Sequence, residues 1–283
     1  MTSLDEQPVT TPGRAGRNLP AAIGVGLGLG TVITATVFSP YRWTFAVLVA
    51  VAAVVGTVEI VRALRTLGAA PPLPPLLVGG AAMVLLAYRQ GVESLFLALA
   101  LTVLACVVWR ITDPAEGILR DLASAVFTAA YVPFLAGFAV VIAVPADGPR
   151  RITAFVLTVV CSDVGGYAAG VLFGKHPMAP SVSPKKSWEG FAGSTLACAG
   201  VGALLFATTL HTSPLLGVVY GLAVVATGTL GDLGESMIKR DIGIKDMGNL
   251  LPGHGGLMDR LDSLLPTAPV AFLLLSAFVA LPS

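Results

Sequence analysis

Charge is scarce in this chain. Of its 283 residues, 12% are Asp, Glu, Lys or Arg, whereas 55% are hydrophobic and the mean hydropathy is +0.85. A typical soluble domain carries about 25% charged residues, so a chain of this composition is solvated mainly by lipid. The formal net charge of +1 gives no basic surface, which argues against nucleic acid as a partner.

Cysteine is also scarce, and several familiar site signatures are missing. Cys106, Cys161 and Cys198 all lie within apolar runs, where they are best interpreted as small buried hydrophobes. The sequence has no Cys/His spacing suited to a metal and no disulfide framework. The string nearest to a phosphate-binding P-loop, GVLFGK ending at Lys175, is one residue too short and precedes His176 instead of Ser or Thr.

Long apolar runs predict an all-α polytopic membrane protein with about nine transmembrane helices. A span needs about 20 mainly apolar residues. The first run is too long for a signal peptide, and it follows a polar segment, 1–18, that is typical of disordered tails. The third run is short because PPLPP precedes it. The predicted spans are 19–38, 44–62, 72–88, 94–109, 122–144, 152–173, 190–210, 214–231 and 264–281.

The distribution of Lys and Arg predicts an orientation in the cell membrane. With nine spans, thirteen Lys and Arg residues share a side with the N-terminus, and four lie on the other side. The positive-inside rule then places the N-terminus and the polar loops in the cytoplasm. We divide the chain into a disordered cytoplasmic tail (1–18), N-terminal spans (19–151) and a C-terminal catalytic region (152–283).

One polar stretch, from Gly231 to Asp262, carries ten of the 33 charged residues. Charge beside a bilayer is costly and usually functional. Five polar residues in this stretch have the spacing of one helix face, so an acid, a hydroxyl and two cations could hold a metal and a phosphate. A solvated loop of paired charges is the alternative. The five residues are Asp232, Glu235, Ser236, Lys239 and Arg240.

The same stretch contains the ordered string SMIKRDIGIKDMGNLLPGHGGLMDRLDS, which resembles the signature of the phosphatidate cytidylyltransferases, the CDP-diacylglycerol synthases. A second element, SPKKS followed by Glu189 and Gly190, resembles that family's SPKKT and EG, with Ser187 in place of Thr. A membrane topology anchor is the alternative for this Lys pair. The signature positions are filled by Ser236, Lys239, Arg240, Lys245, Asp246, His254, Gly255, Gly256, Asp259, Arg260 and Asp262.

The resemblance implies an enzyme that joins CTP to phosphatidic acid. Two polyanions must meet, so catalysis depends on positioning and charge neutralisation, which favours Mg²⁺ on carboxylate ligands. The resemblance also allows a second, monovalent cation, and a homodimer is compatible with it. The predicted catalytic residues are Asp232, Asp259, Lys239, Arg240 and Ser236. The predicted metal ligands are Asp232 and Asp259, with Asp262 and Asp246. The predicted substrate-binding residues are Lys185, Lys186, Ser183, Ser187, His254, Arg260, Lys245 and Asp163.

Two carboxylates fall inside predicted spans, where a charge must face a bundle interior or a wet cavity. Asp163 has small neighbours, including Gly165 and Gly166, so we expect it to line the site. Glu59 matches no motif, and we expect it to be structural or to extend its carboxylate toward the membrane surface. In a proton-coupled transporter these two acids would relay protons, but no internal repeat supports that alternative. A CTP-dependent polyprenol kinase is a further alternative, whereas the DG…AR…G…D…D pattern of CDP-alcohol phosphotransferases is absent.

Overall fold

The computed structural model describes residues 19–113, 116–248, 250 and 255–280. Within these ranges the chain is almost entirely helical, which confirms the predicted all-α class. The predicted disordered tail, 1–18, and His254 lie outside the described residues. The elements are α1 (Leu19–Val37), α2 (Trp43–Thr66), α3 (Leu73–Gln90), α4 (Val92–Arg110), α5 (Ile118–Ala129), a π-helical turn (Ala130–Phe134), α6 (Leu135–Ala143), α7 (Gly148–Phe173), β1 (Pro177–Ala179), β2 (Ser183–Ser187), α8 (Trp188–Thr208), α9 (Pro214–Ile242), α10 (Met258–Leu261) and α11 (Leu264–Phe278).

Seven helical stretches in the described ranges are long and apolar enough to cross a membrane, so this is a multi-pass membrane protein. They are α2, α4, α5 continued through α6, α7, α8, α9, and α10 continued through α11. The third predicted span forms α3, which is not among the seven, and α1 contributes a shorter apolar part, Gly26–Val37. The predicted count of nine is therefore not confirmed, and the division at residue 152 stays a prediction.

Helices α7, α8 and α9 pack closely because small residues face one another along their contacts. A Cβ on Gly193 would lie 2.7 Å from the carbonyl oxygen of Gly165, and one on Gly202 would overlap the carbonyl oxygen of Gly217. Small residues allow this approach of helix backbones in a bilayer, where close packing replaces the hydrophobic driving force. The three helices form the frame that holds the polar segments.

Helix α2 packs against α10, the short helix at the end of the polar stretch. A Cβ on Gly56 would lie 2.9 Å from Sδ of Met258, so the missing side chain makes room for the first residue of α10. Met258 is fully buried there in a cluster that includes Ile60, Val84 and Leu265. Packing against α2 therefore fixes where the polar stretch returns to the membrane.

Candidate active site

The polar face predicted after the eighth apolar run lies on the last turns of α9. The helix continues to a left-handed glycine, Gly243, with φ of 78°. Ser236 Oγ lies 3.5 Å from Asp232 Oδ1, and Lys239 Nζ lies 3.1 Å from Glu235 Oε1. Both pairs are one helical turn apart, so the prediction of a single polar helix face is confirmed, and the solvated-loop alternative is wrong for this part.

The SPKKS element, predicted as part of a loop, is the second strand of a β-hairpin. Strand β2 pairs antiparallel with β1, and its last residue, Ser187, caps α8 by accepting a hydrogen bond from Gly190 N–H at 3.1 Å. Glu189 accepts hydrogen bonds at 3.2 Å from the backbone N–H groups of Lys175 and His176. The loop prediction was wrong because this pairing involves only a few residues and leaves no periodic apolar pattern. The hairpin holds the Lys pair between the ends of α7 and α8.

A first cavity, of about 270 Å³, lies between the hairpin and helices α7, α8 and α9. Lys186 Nζ lies 2.6 Å from Asp232 Oδ2 and joins the hairpin to α9. This contact brings together two polar segments that are distant in sequence. Asp163 lines the cavity from α7, and its role in the active site stays a prediction. The ionic and hydroxyl side chains of the lining include Asp163, Ser183, Lys185, Lys186, Ser187 and Asp232.

A second cavity, of about 360 Å³, lies at the end of α9 beside the hairpin. Its wall has four cations and one acid, so it is suited to a polyanion. Arg240 Nε donates a hydrogen bond to the carbonyl oxygen of Val182 at 3.3 Å, which ties α9 to the hairpin. Ser183 and Lys185 line both cavities, which therefore adjoin. The polar lining of the second cavity is Ser183, Lys185, Ser236, Lys239, Arg240, Lys245 and Asp246.

Asp259 organises the backbone beside the second cavity. Its Oδ1 lies 2.9 Å from Lys239 Nζ, and its Oδ2 accepts hydrogen bonds from Met247 N–H at 2.9 Å and Gly256 N–H at 2.7 Å. Lys239 also pairs with Glu235, whose side chain has no exposed surface. Three donors on one carboxylate leave Asp259 well satisfied, so binding a metal would require it to exchange partners.

Gly255 of the signature explains how Asp246 and Asp259 come together. Its φ of +78° lies in the left-handed region that favours glycine. A Cβ at this position would also lie 2.7 Å from Asp259 Oδ2 and 3.1 Å from Cβ of Asp246. A side chain here would therefore push the two acids apart.

The four predicted metal ligands do not form one cluster. Asp246 and Asp259 lie together, whereas Asp232 and Asp262 are electrostatic neighbours along with Asp163. In the part of the chain that the structure describes, no three His, Cys, Asp or Glu side chains are grouped so that they could hold a metal ion. Metal binding by these carboxylates stays a prediction.

Four further residues have a known position relative to the cavities or lie outside the described residues. Arg260 is an electrostatic neighbour of Asp163, whereas His254 lies outside the described residues. Glu235 was predicted as part of the polar face of α9 but not as a site residue, and it pairs with Lys239. Tyr131, in the π-helical turn, has a buried hydroxyl without a hydrogen-bond partner among the described residues, and it is an electrostatic neighbour of Glu235. An apolar run around Tyr131 gave no signal, although π-helical turns often mark functional sites.

Comparison with known proteins places this chain in a family. The model of the cytidylyltransferase family matches residues 21–278. The chain is 48% identical to the phosphatidate cytidylyltransferase of Mycobacterium leprae, over 93% of this chain and 89% of that protein. It is 46% identical to the Mycobacterium tuberculosis H37Rv protein of the same name, over 96% and 86%. Chloroplastic phosphatidate cytidylyltransferase 5 of Arabidopsis thaliana is 25% identical, over 96% and 74%. This chain therefore belongs to the cytidylyltransferase family and is a nucleotidyltransferase.

Proposed function

We propose that this protein is a phosphatidate cytidylyltransferase, which converts CTP and phosphatidic acid into CDP-diacylglycerol and pyrophosphate. The main support is the pair of adjoining cavities that share Ser183 and Lys185. One cavity lies among membrane helices and the other is lined by four cations, as a membrane lipid phosphate and a soluble triphosphate would require. The names of the relatives point to the same substrates.

The reaction needs positioning and charge neutralisation more than a strong base. An oxygen of the lipid phosphate attacks the α-phosphorus of CTP, and a new P–O bond forms. The bond to the bridging oxygen breaks, and pyrophosphate leaves with the electron pair. A phosphate monoester is already dianionic, so no base has to remove a proton. We assign the triphosphate to the second cavity, where Lys185, Lys239, Arg240 and Lys245 would stabilise the charge that develops on pyrophosphate.

We assign the lipid phosphate to the first cavity. Tyr167 lines this cavity and is exposed, and Val164 and Val171 are exposed on the same face of α7. That face is apolar and would lie against acyl chains, so the lipid could stay in the bilayer while its phosphate enters the cavity. Lys186 would then hold the phosphate, with Asp163 close to the reacting groups.

We further propose that Mg²⁺ is held by carboxylates at the first cavity. Asp163 and Asp232 both line this cavity and are oxygen donors, and their mutual repulsion would be relieved by a hard cation that also binds phosphate oxygens. Asp262 is an electrostatic neighbour of both but does not line the cavity, so its role as a ligand stays a prediction. Asp232 also pairs with Lys186, which lines the same cavity. A bound Mg²⁺ supplies charge neutralisation at phosphate oxygens. The roles of Asp246 and Asp259 as ligands, and a second, monovalent cation, stay predictions.

The function is tested with purified protein in detergent, CTP and Mg²⁺. CTP is labelled separately in the cytidine and in the γ-phosphate, and phosphatidic acid, a polyprenol and diacylglycerol are offered as acceptors. With phosphatidic acid as acceptor, we expect the cytidine label in a CDP-lipid and the γ-label in pyrophosphate. With the polyprenol or diacylglycerol, we expect no transfer of either label. Transfer of the γ-label to lipid would indicate a polyprenol kinase instead, and a lack of CTP consumption would contradict the proposal.

Lys186→Gln is expected to lower kcat/KM about 10- to 150-fold in detergent, because a charge-assisted hydrogen bond contributes roughly 1.5–3 kcal/mol. Lys185→Gln should have a similar effect, since Lys185 lines both cavities. A topology anchor acts only during membrane insertion, so the purified variants would then be normal. The exposed Lys175 provides the matched control, Lys175→Gln, which should retain wild-type kinetics. Near-normal kinetics of both variants would contradict phosphate binding by the Lys pair and favour a role as a topology anchor.

We propose that the hairpin and the polar end of α9 face the cytoplasm, where CTP is available and where the excess of Lys and Arg would lie. The exposed positions Ser181 and Asp241 sample these two segments. In a variant without native cysteines, Ser181→Cys and Asp241→Cys should resist an impermeant maleimide in intact cells and react after permeabilisation. Labelling of both positions in intact cells would show that the two segments face the outside of the cell.

A further inference from the structure

Glu59 lies in α2, in the N-terminal half of the chain. It contacts residues of the signature string, 236–263, which we call the signature segment. Its side chain is buried, with 5% of the residue exposed. Oε1 accepts a hydrogen bond from Leu257 N–H at 3.0 Å, and Oε2 accepts one from Met258 N–H at 2.8 Å. A buried carboxylate is costly unless donors satisfy it, and here both oxygens are satisfied by the backbone that leads into α10.

Two glycines of the signature segment make room for this carboxylate. A Cβ on Gly248 would meet Oε1, Cδ and Cγ of Glu59 at 2.5, 2.8 and 3.2 Å. A Cβ on Gly256 would lie 2.6 Å from Oε2. Gly248 does not have a positive φ, so Ala could adopt its backbone conformation, and the space taken by Glu59 is the reason that a side chain does not fit.

Asp259 also binds backbone N–H groups of the signature segment, next to those that Glu59 binds. Asp259 accepts the N–H groups of Met247 and Gly256, and Glu59 accepts those of Leu257 and Met258. Two buried carboxylates thus share four backbone donors of one segment. Since Asp259 also binds Lys239 of the second cavity, a shift of this backbone would move a cation that faces the triphosphate.

We propose that Glu59 is a positioning residue for cytidylyl transfer. It fixes the backbone at Leu257 and Met258, and through it the geometry of Asp259 and Lys239. Glu59 lines neither of the two cavities described above and is not a catalytic residue. This inference rests on the proposed function, because the reaction affected is the transfer of cytidylate from CTP to lipid phosphate.

A double-mutant cycle between Glu59 and Gly248 tests the contact. Gly248→Ala should lower kcat/KM about 10- to 100-fold in the wild-type background, because misplacement of about 1 Å can have effects of this size. Glu59→Ala should lower it to a similar extent. Adding Gly248→Ala to Glu59→Ala should change it less than about threefold, because the space is then empty. Equal factors in both backgrounds would overturn the proposal.

Hydrogen exchange supplies a readout that does not depend on activity. In Glu59→Gln, which keeps the size of the side chain but places an NH₂ group against a backbone donor, the amides of Leu257 and Met258 should exchange about 10-fold faster or more. The exposed Glu93 on α4 gives the control Glu93→Gln, which should change neither exchange nor kinetics.

The combined results separate the hypotheses. Unchanged exchange at these amides would show that Glu59 does not hold this segment, and wild-type kcat in Glu59→Gln with only a lower unfolding temperature would show that its role is purely structural. Either result would overturn the proposal. If the wild-type protein makes no CDP-lipid, the proposed function fails, and the exchange measurement still decides whether Glu59 fixes this segment. If Glu59→Ala does not fold, Gly248→Ala and Glu59→Gln carry the test.

Discussion

Asp259→Asn is expected to lower kcat about 10²- to 10⁴-fold, because at least two charge-assisted hydrogen bonds of roughly 1.5–3 kcal/mol each are lost. The carboxylate accepts from Lys239 with one oxygen and from Met247 and Gly256 with the other. An Asn amide has one acceptor, so either orientation places its NH₂ group against an N–H donor. With 6% of the side chain exposed, water cannot compensate.

Steady-state kinetics in detergent, at a temperature below the unfolding of the variant, measure this effect. Asp241→Asn is the matched control, because Asp241 is an exposed acid in the same polar stretch and lines neither cavity. It should retain wild-type kcat. An Asp259→Asn protein that is folded and turns over CTP at the wild-type rate would remove Asp259 from the active site.

Asp232→Asn is expected to lower kcat/KM about 10²- to 10³-fold, the range found when one electrostatic contact to a transition state is removed. Asp232 lines the first cavity, pairs with Lys186 at 2.6 Å and has 39% of its side chain exposed, so its charge is accessible to a cation. Asn keeps the shape of this side chain but not its charge. The variant should therefore also need a higher Mg²⁺ concentration for half-maximal activity.

The double variant Asp232→Asn/Lys186→Gln distinguishes metal binding from simple ion pairing. If Asp232 serves only to balance Lys186, removing both charges should restore much of the activity lost in the single variants. If Asp232 binds Mg²⁺, the double variant should be at least as impaired as Asp232→Asn. Wild-type Mg²⁺ dependence in Asp232→Asn would argue that other residues hold the cation.

The transporter alternative required Glu59 and Asp163 to exchange protons. The structure gives them separate partners instead: Glu59 accepts two backbone N–H groups at the start of α10, and Asp163 lines the first cavity. Glu59 is thus engaged with the signature segment, where its charge organises the backbone. The chain belongs to the cytidylyltransferase family, which agrees with separate roles for the two acids.

The features that the sequence predicted correctly are those that depend on local spacing. Apolar runs predicted a multi-pass helical protein because the bilayer sets a minimum span length, although α1 and α3 were not confirmed as spans. The spacing from Asp232 to Arg240 predicted one helix face because neighbours on a helix recur every three or four residues. The signature string identified the family for the same reason, since it is contiguous in the chain.

By itself, then, the sequence determined the membrane class, the polar helix face and the family. Only the tertiary structure decided which donors each carboxylate accepts: Lys186 for Asp232, Lys239 and the backbone for Asp259, and Leu257 and Met258 for Glu59. The hydrogen bond from Met258 to Glu59 joins residues 199 positions apart. Such partners are chosen when helices pack and buried charges must be satisfied, and no local pattern in the chain encodes that choice.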